Sequence, residues 1–319
     1  MAITDMVVFN QQIQTVATEI VDQSVGAFNE ASGGTLLLGS QSSIGDFVEE
    51  ASYKLIASLV GRRNAYGTGT LTTKALEQLK DVAVKVDQSV GPMEWTAEQF
   101  ARLGKSEEEA GLIIGEQAAV GLIQDYLNTA ASSLVGAIGA QAALVNDYSA
   151  TGTAKLVELN KAAGKLGDRQ MTIAAWVMHS KVFTDLTNEA ITNTSQLYTI
   201  GDIRVMQDGL GRRYVVTDSP ALTNTTPDPD TFNTLGLVAG AAMVETSPFR
   251  SQTVGKVAEE NMGTVWKGES SFNIGLKGYA WDMTNGGKSP DDAALALGTN
   301  WDKIATSDKD TAGVMLISQ

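Results

Sequence analysis

Residues 106–143, SEEEAGLIIGEQAAVGLIQDYLNTAASSLVGAIGAQAA, decide how the rest of the chain is read. The Ser106 hydroxyl is placed to accept from the third backbone N–H, Glu109 to reach back to the first, and three successive carboxylates sit at the positive end of a helix dipole. Val120, Ile123, Leu127, Ala130, Leu134 and Ala137 then recur at alternating three- and four-residue spacing, with Glu116, Gln124, Asp125, Asn128 and Ser132 off that stripe. The pattern predicts one helix of roughly 50 Å, long enough to act as a spine. Gly111, Gly115, Gly121, Gly136 and Gly139 each cost about 1 kcal/mol relative to alanine, so an isolated helix would fray. Sheet packing or neighbouring chains must hold it.

The chain has 319 residues and 43 % hydrophobic content, enough for a real core. It has no cysteine, which excludes disulfides, thiolate nucleophiles and cysteine-ligated metals. A net charge of −14 disfavours a protein whose main task is gripping nucleic acid or an anionic membrane, while an inert wall around DNA is still compatible with it. Asp5 stands where a signal peptide has basic residues, and no short apolar core with a cleavage site follows. Residues 126–146 carry no charge, but Asn128, Thr129, Ser132, Ser133 and Gln141 and the lack of any Lys or Arg between Lys105 and Lys155 argue against a membrane span. No membrane partner is expected.

In chain order, Val7, Val8, Ile13, Val16, Ile20, Val21, Val25 and Phe28 mark an amphipathic N-terminal helix, packed on its own domain or lying as an arm on another subunit. Ser32-Gly33-Gly34 breaks it before the apolar run 35–38. A second amphipathic helix is predicted over 46–59, a turn-rich tip over 61–70, a short helix over 71–79, and an edge strand over 81–87 that Gly91-Pro92 closes. This long excursion has little core of its own. Arg62, Arg63, Lys74, Lys80 and Lys85 gather on it in an otherwise acidic chain, as either contacts to an acidic neighbour or a solvated face.

Beyond the spine, a helix over 154–166 precedes a buried strand over 171–178 and a helix carrying Val182, Phe183, Leu186 and Ile191. Ser180 beside the only histidine, His179, invites a hydrolase reading, but no Gly-x-Ser-x-Gly elbow surrounds it and a cap or strand-end role fits better. Residues 203–206 and 213–217 form a hairpin. The loop 220–233 carries Asp228 and Asp230, without the spacing or number of a calcium loop. Apolar strands are expected at 235–244, 271–281 and 313–317, an antiparallel excursion at 253–266, and a short helix capped by Ser289 with Pro290 in its first turn. No catalytic, cofactor or metal site emerges.

Three stretches carry a family resemblance: Trp176-Val177-Met178-His179-Ser180-Lys181-Val182-Phe183 with Leu186; Phe272-Asn273-Ile274-Gly275-Leu276-Lys277-Gly278-Tyr279-Ala280-Trp281-Asp282; and Asn285-Gly286-Gly287 with Ser289-Pro290, followed by Asn300-Trp301-Asp302-Lys303. With the order of elements, the sequence resembles the major capsid proteins of tailed bacteriophages. The resemblance implies an α+β, Hong Kong 97-type capsid fold with N-terminal arm, extended loop, peripheral domain with long spine helix, and axial domain. Its segments would be arm 1–45, extended loop and flanks 46–105, peripheral domain with spine 106–150, axial domain 151–232, peripheral strands 233–282, and a C-terminal return to the axial domain 283–319. The implied role is self-assembly of hexamers and pentamers into the icosahedral head around double-stranded DNA, with Arg62, Arg63, Lys74, Lys80 and Lys85 as inter-subunit contacts. Scaffolding, portal and decoration proteins are the other implied partners, synthesis is in the host cytoplasm, and the glycine-rich spine would bend on maturation. No covalent cross-link chemistry is assigned. An encapsulin-type nanocompartment shell is the alternative use of the same fold.

Overall fold

The computed structural model describes residues 3–39, 45–54, 62–70, 73, 75–96, 98–99, 102, 107–189, 195–200, 203–207, 212–226, 229–256 and 263–319. Two helices set its frame: α1 (Ile3–Ala31) and the spine α2 (Glu107–Gly139). The expected spine stripe faces inward, with Ile123, Ala130, Leu134 and Ala137 fully buried and Leu127 4 % exposed. Toward its C-terminal end α2 is buried nearly all round, because sheets close on it from both sides. Ser106, the expected cap, lies outside the described residues.

The spine glycines have separate reasons. A Cβ at Gly111 would lie 3.3 Å from the Phe9 ring and one at Gly115 3.1 Å from Val16, so both let α1 pack closely along α2. Gly136 meets the backbone of Ala296, and Gly139 the Met315 methyl at 3.3 Å. Gly121 alone among the five has nothing within 4 Å. Four of the five are therefore packing contacts, which removes them as evidence for a bending rod. Gly121→Ala is expected to raise stability by about 0.5–1 kcal/mol, read as a higher urea midpoint at unchanged slope, since it adds helix propensity without a clash.

The N-terminal helix thus packs on its own subunit. Its Asn29 also closes the free edge of β1 (Leu36–Gly39): the side-chain amide donates to the Leu38 carbonyl at 2.8 Å and its oxygen accepts from the Leu38 N–H at 3.0 Å. A side chain takes the place of a further strand there.

Among the described residues the strands form two eight-stranded sheets. Sheet I is built on the 14-residue β13 (Gly263–Leu276). One edge of β13 pairs antiparallel with β11 (Ala242–Thr246) and β12 (Arg250–Lys256), the other with the 19-residue β3 (Gln78–Thr96). On β3 lies β2 (Phe47–Tyr53), on β11 lies β1 in parallel, and the short β14 (Tyr279–Trp281) and β15 (Trp301–Lys303) complete the far side. Sheet II runs β4 (Val145–Asp147), β16 (Gly313–Ser318), β10 (Thr231–Val238), β5 (Ile173–Met178), β8 (Arg213–Val216), β7 (Ile203–Gln207), β6 (Ser195–Ile200), with β9 (Thr223–Asn224) on β10. Helices α3 (Leu156–Gly164) and α4 (Ser180–Glu189) flank β5 in sequence, and α5 (Asp292–Ala296) is the short C-terminal helix. One core joins both sheets to α2, with Tyr126 edge-on to Phe272 at 5.0 Å.

Several expectations need correction. Residues 46–59 are not a helix where described: 47–53 form β2, and 75–77 are irregular before β3 begins at Gln78. The segment 81–87 is not a short strand closed by Gly91-Pro92: β2 pairs with it up to Val84, β13 takes over from Val84 on, and it continues through Gly91-Pro92 to Thr96. Val82, Val84 and Val86 alternate inward over the spine, and that pairing, distant in sequence, overrides local helix spacing. The apolar run 235–244 is broken at 239–241, where the chain leaves sheet II for sheet I. The C-terminal helix is capped by Asp291, whose Oδ1 accepts from the Ala294 N–H at 2.8 Å, while Ser289 adopts φ +47° and donates to Asp87 Oδ2 at 2.7 Å. The 203–217 hairpin forms as expected, its turn 208–211 lying outside the described residues.

Candidate assembly surfaces

The β2–β3 ribbon leaves sheet I as a long hairpin. Past Tyr53 the Lys54 N–H donates to the Glu77 carbonyl at 2.9 Å and its ammonium pairs with the Glu77 carboxylate at 2.7 Å. At the tip, Gly67 N–H donates to the Asn64 carbonyl at 3.2 Å and Tyr66 N–H to Asn64 Oδ1 at 3.0 Å, so asparagine chemistry turns the chain. Arg62 and Arg63 precede this turn, exposed and without an ion pair among the described residues. Tyr66 is 96 % exposed. One large aromatic and two guanidiniums are thus exposed within five residues, residue types that protein contact surfaces favour.

The other basic residues are placed differently. Lys80 pairs across the ribbon with Glu49 at 2.6 Å. Lys85 is half-buried, its N–H donating to the Asp46 carbonyl at 3.0 Å. Asp46 also pairs with Lys288 at 2.8 Å, and that lysine holds its carboxyl below the usual range. Lys74 lies outside the described residues. The five are therefore not one patch: two sit at the tip, and two lie toward the base.

The open face of sheet I, opposite α2, carries a trough that sequence reading missed. Leu37 stands beside Met243, Met243 beside Gly275, and Val48 beside Ala83. A Cβ on Gly275 would lie 3.3 Å from that of Ala83, so this row has almost no side-chain bulk at its centre. One wall carries Glu245 and Asn273, which pair across β11 and β13, and then Lys85, opposite Asn273 on β3. Glu50 and Asp81, directly opposite each other across β2 and β3, rise on the other side with Lys277. The cavity holds about 240 Å³, below the usual size of a small-molecule site and suited to one or two side chains. Lys277 donates to the Ala239 carbonyl at 3.2 Å. Burial, and then the facing Glu50 carboxylate, push the Asp81 carboxyl above its usual range.

The His179–Ser180 pair is held by local contacts. His179 Nδ1 accepts from the Lys181 N–H at 3.2 Å, Nε2 faces Asp218 Oδ1 at 3.4 Å, and the ring packs on Phe232 at 5.0 Å. Both ring nitrogens are engaged away from the Ser180 hydroxyl, while Asp218 Oδ1 also accepts the Ser180 N–H at 3.1 Å and so caps α4. Among the described residues no three or more acidic or histidine side chains are grouped to hold a metal. None of their helices is long and apolar enough to cross a membrane.

A family model described as Gp13-like, major capsid protein 13-like, matches residues 5–315. No curated protein matches the chain. Among solved structures, the head of Helicobacter pylori bacteriophage KHP40 is similar at TM-score 0.51 and 10 % identity, covering 89 % of this chain and 87 % of that one. A structure from Mycobacterium phage Bobi gives 0.50 at 11 % identity over 94 % and 90 %, and one from Microbacterium phage Oxtober96 gives 0.50 at 10 % over 91 % and 90 %. At such identities the likeness is one of fold.

Proposed function

Because the chain belongs to the family of major capsid proteins 13-like, with the Hong Kong 97-type α+β fold, we propose that it builds the icosahedral head of a tailed bacteriophage from hexamers and pentamers closed around double-stranded DNA. The family is structural, and the site lies in surfaces rather than in a reaction centre. The observation that carries the mechanism is the β2–β3 hairpin, which exposes Arg62, Arg63 and Tyr66 beyond any core of its own. In this reading the hairpin is the extended loop, α2 with sheet I the peripheral domain, and sheet II the axial domain.

Each hairpin reaches over the next copy, so the contact is heterologous and closes into a ring when its rotation closes. A net charge of −14 keeps the wall from adhering to packaged DNA. Scaffolding, portal and decoration proteins are the further partners of such a shell, and synthesis takes place in the host cytoplasm. An encapsulin-type compartment is disfavoured by the match to a phage capsid family.

The test is electron microscopy and light scattering of the purified protein, with analysis of particle contents from its native source. Closed shells with DNA inside are expected. A cargo enzyme in place of DNA favours the compartment, and a compact monomer at high concentration overturns the shell reading altogether.

A further inference from the structure

Asn285-Gly286 is the one Asn-Gly step in the chain, and Asn285 is exposed. That step carries a chemical hazard. When the Gly286 N–H gives its proton to solvent, the nitrogen becomes a nucleophile toward the Asn285 side-chain carbon, and glycine has no Cβ to obstruct the approach. A bond forms between Gly286 N and Asn285 Cγ, the Cγ–Nδ2 bond breaks, and the amide nitrogen takes a proton from water and leaves as ammonia. One water then opens the cyclic imide to an aspartate or an isoaspartate at 285. Nothing is oxidised or reduced.

The turn that holds this step engages every group the reaction needs. Gly286 N–H donates to the Asp282 carbonyl at 2.8 Å, so the proton that must be lost is held on a backbone oxygen. Asp282 Oδ1 accepts from the Thr284 N–H at 2.8 Å and the Asn285 N–H at 3.2 Å, while Oδ2 accepts from Asn285 Nδ2 at 2.6 Å. The departing nitrogen is thus tied to the same carboxylate. A Cβ on Gly286 would run into the Trp281 indole, whose Nε1 donates to the Gly287 carbonyl at 3.0 Å. The glycine backbone lies on a buried ring and must leave it before it can turn toward Asn285.

We propose that Asn285 is a latent deamidation site, which Asp282 keeps unreactive in the folded subunit and which opening of the turn releases. This goes beyond the shell reading and does not depend on it. The reaction also prevents its own reversal. A carboxylate oxygen replaces the Nδ2 donor beside Asp282 Oδ2, so like charges meet where a hydrogen bond stood. The same turn buttresses the base of the β2–β3 hairpin: Lys288 pairs with Asp46 at 2.8 Å, just before β2, and Ser289 donates to Asp87 on β3 at 2.7 Å. A turn sprung by the new charge loosens both anchors, and the modification accumulates in subunits that have opened there. In a wall whose subunits are not replaced, the lock sets how long each copy stays sound.

The sequence makes the test direct. Trypsin cuts after Lys277 and Lys288, giving a peptide 278–288 in which Asn285 is the only amide side chain. Mass spectrometry of that peptide, after timed incubation of the whole protein at mildly alkaline pH, follows the conversion. Native wild-type protein is expected to deamidate at least about tenfold more slowly than the same chain unfolded in urea, and Asp282→Ala, folded by circular dichroism, to be at least about tenfold faster than native wild type. Equal rates in the native and unfolded wild type overturn the proposal. So does an Asp282→Ala rate that is unchanged, or one that is slower, which would make the carboxylate a base that promotes the reaction. Should Asp282→Ala not fold, Asp282→Asn decides: it keeps an acceptor for the two backbone N–H groups but turns a donor toward Asn285 Nδ2, and acceleration is again expected. No acceleration there sinks the lock. Every one of these outcomes leaves the shell reading where it stands.

Discussion

Reversing both guanidinium charges at the hairpin tip, Arg62→Glu with Arg63→Glu, is expected to leave a folded, monodisperse subunit that no longer closes shells. The two residues are exposed and make no ion pair among the described residues, so the change in folding stability stays within about 0.5 kcal/mol. Assembly is different. The net charge of each copy moves from −14 to −14 − 4 = −18, raising repulsion between copies at every contact. Locally, carboxylates replace the cations that a neighbour's acidic surface would meet. Losing a partner from a desolvated charge contact costs about 2–5 kcal/mol, which raises the dissociation constant of each contact by roughly thirtyfold to several thousandfold. Every subunit of a ring repeats the loss. Sedimentation velocity across a concentration series, with electron microscopy of the fast fraction, reads the effect. Lys80→Glu is the control, since Lys80 answers Glu49 within its own ribbon. Shells forming at an unchanged threshold would remove the hairpin tip from the assembly mechanism.

The spine was legible because helix information is local. A capping motif, a period near 3.6 and the absence of proline place α2 within a few residues, and Val182 and Leu186 do the same for α4. Residues 46–59 misled for the opposite reason. Their apolar spacing is compatible with a helix, and only pairing with β3, about thirty residues away, makes 47–53 a strand. The same non-locality hid the trough: Glu50, Asp81, Gly275 and Met243 come from four strands, and no window of sequence holds more than one of them. One signal was available. Glu50 and Asp81 flank a basic tip at nearly matching distances, a symmetry that a hairpin reading would have turned into a pair. The basic residues themselves were visible, but sequence cannot separate Arg62 and Arg63 at a tip from Lys80, which is satisfied at home.

The other large effect is expected at Gly136, where alanine should act with the opposite sign to the same change at Gly121. Both sit inside α2, and both gain about 1 kcal/mol of helix propensity on conversion to alanine. At Gly121 the new methyl meets nothing within 4 Å. At Gly136 it would lie 2.4 Å from the Ala296 carbonyl oxygen and 2.8 Å from its carbon, while a Cβ on Gly298 would lie 2.5 Å from the Gly136 oxygen. The two chains touch backbone to backbone, so no flexible side-chain end can move aside. The turn that must retreat is itself pinned: Trp301 Nε1 donates to the Leu295 carbonyl and Asn300 Nδ2 to the Ala294 carbonyl, each at 2.9 Å, and Trp301 stacks edge-on against Trp281 at 5.0 Å. Moving it about 1 Å breaks that set and opens space beside buried tryptophan, at a cost of about 3–5 kcal/mol before the propensity gain is counted. Gly136→Ala is therefore expected to lose about 2–4 kcal/mol and Gly136→Val more, read as a lower urea midpoint, with shell yield falling in step as the folded fraction falls. A Gly136→Ala protein as stable as the wild type would mean that the spine and the C-terminal turn are not in contact, and the packing assigned to this crossing would be wrong.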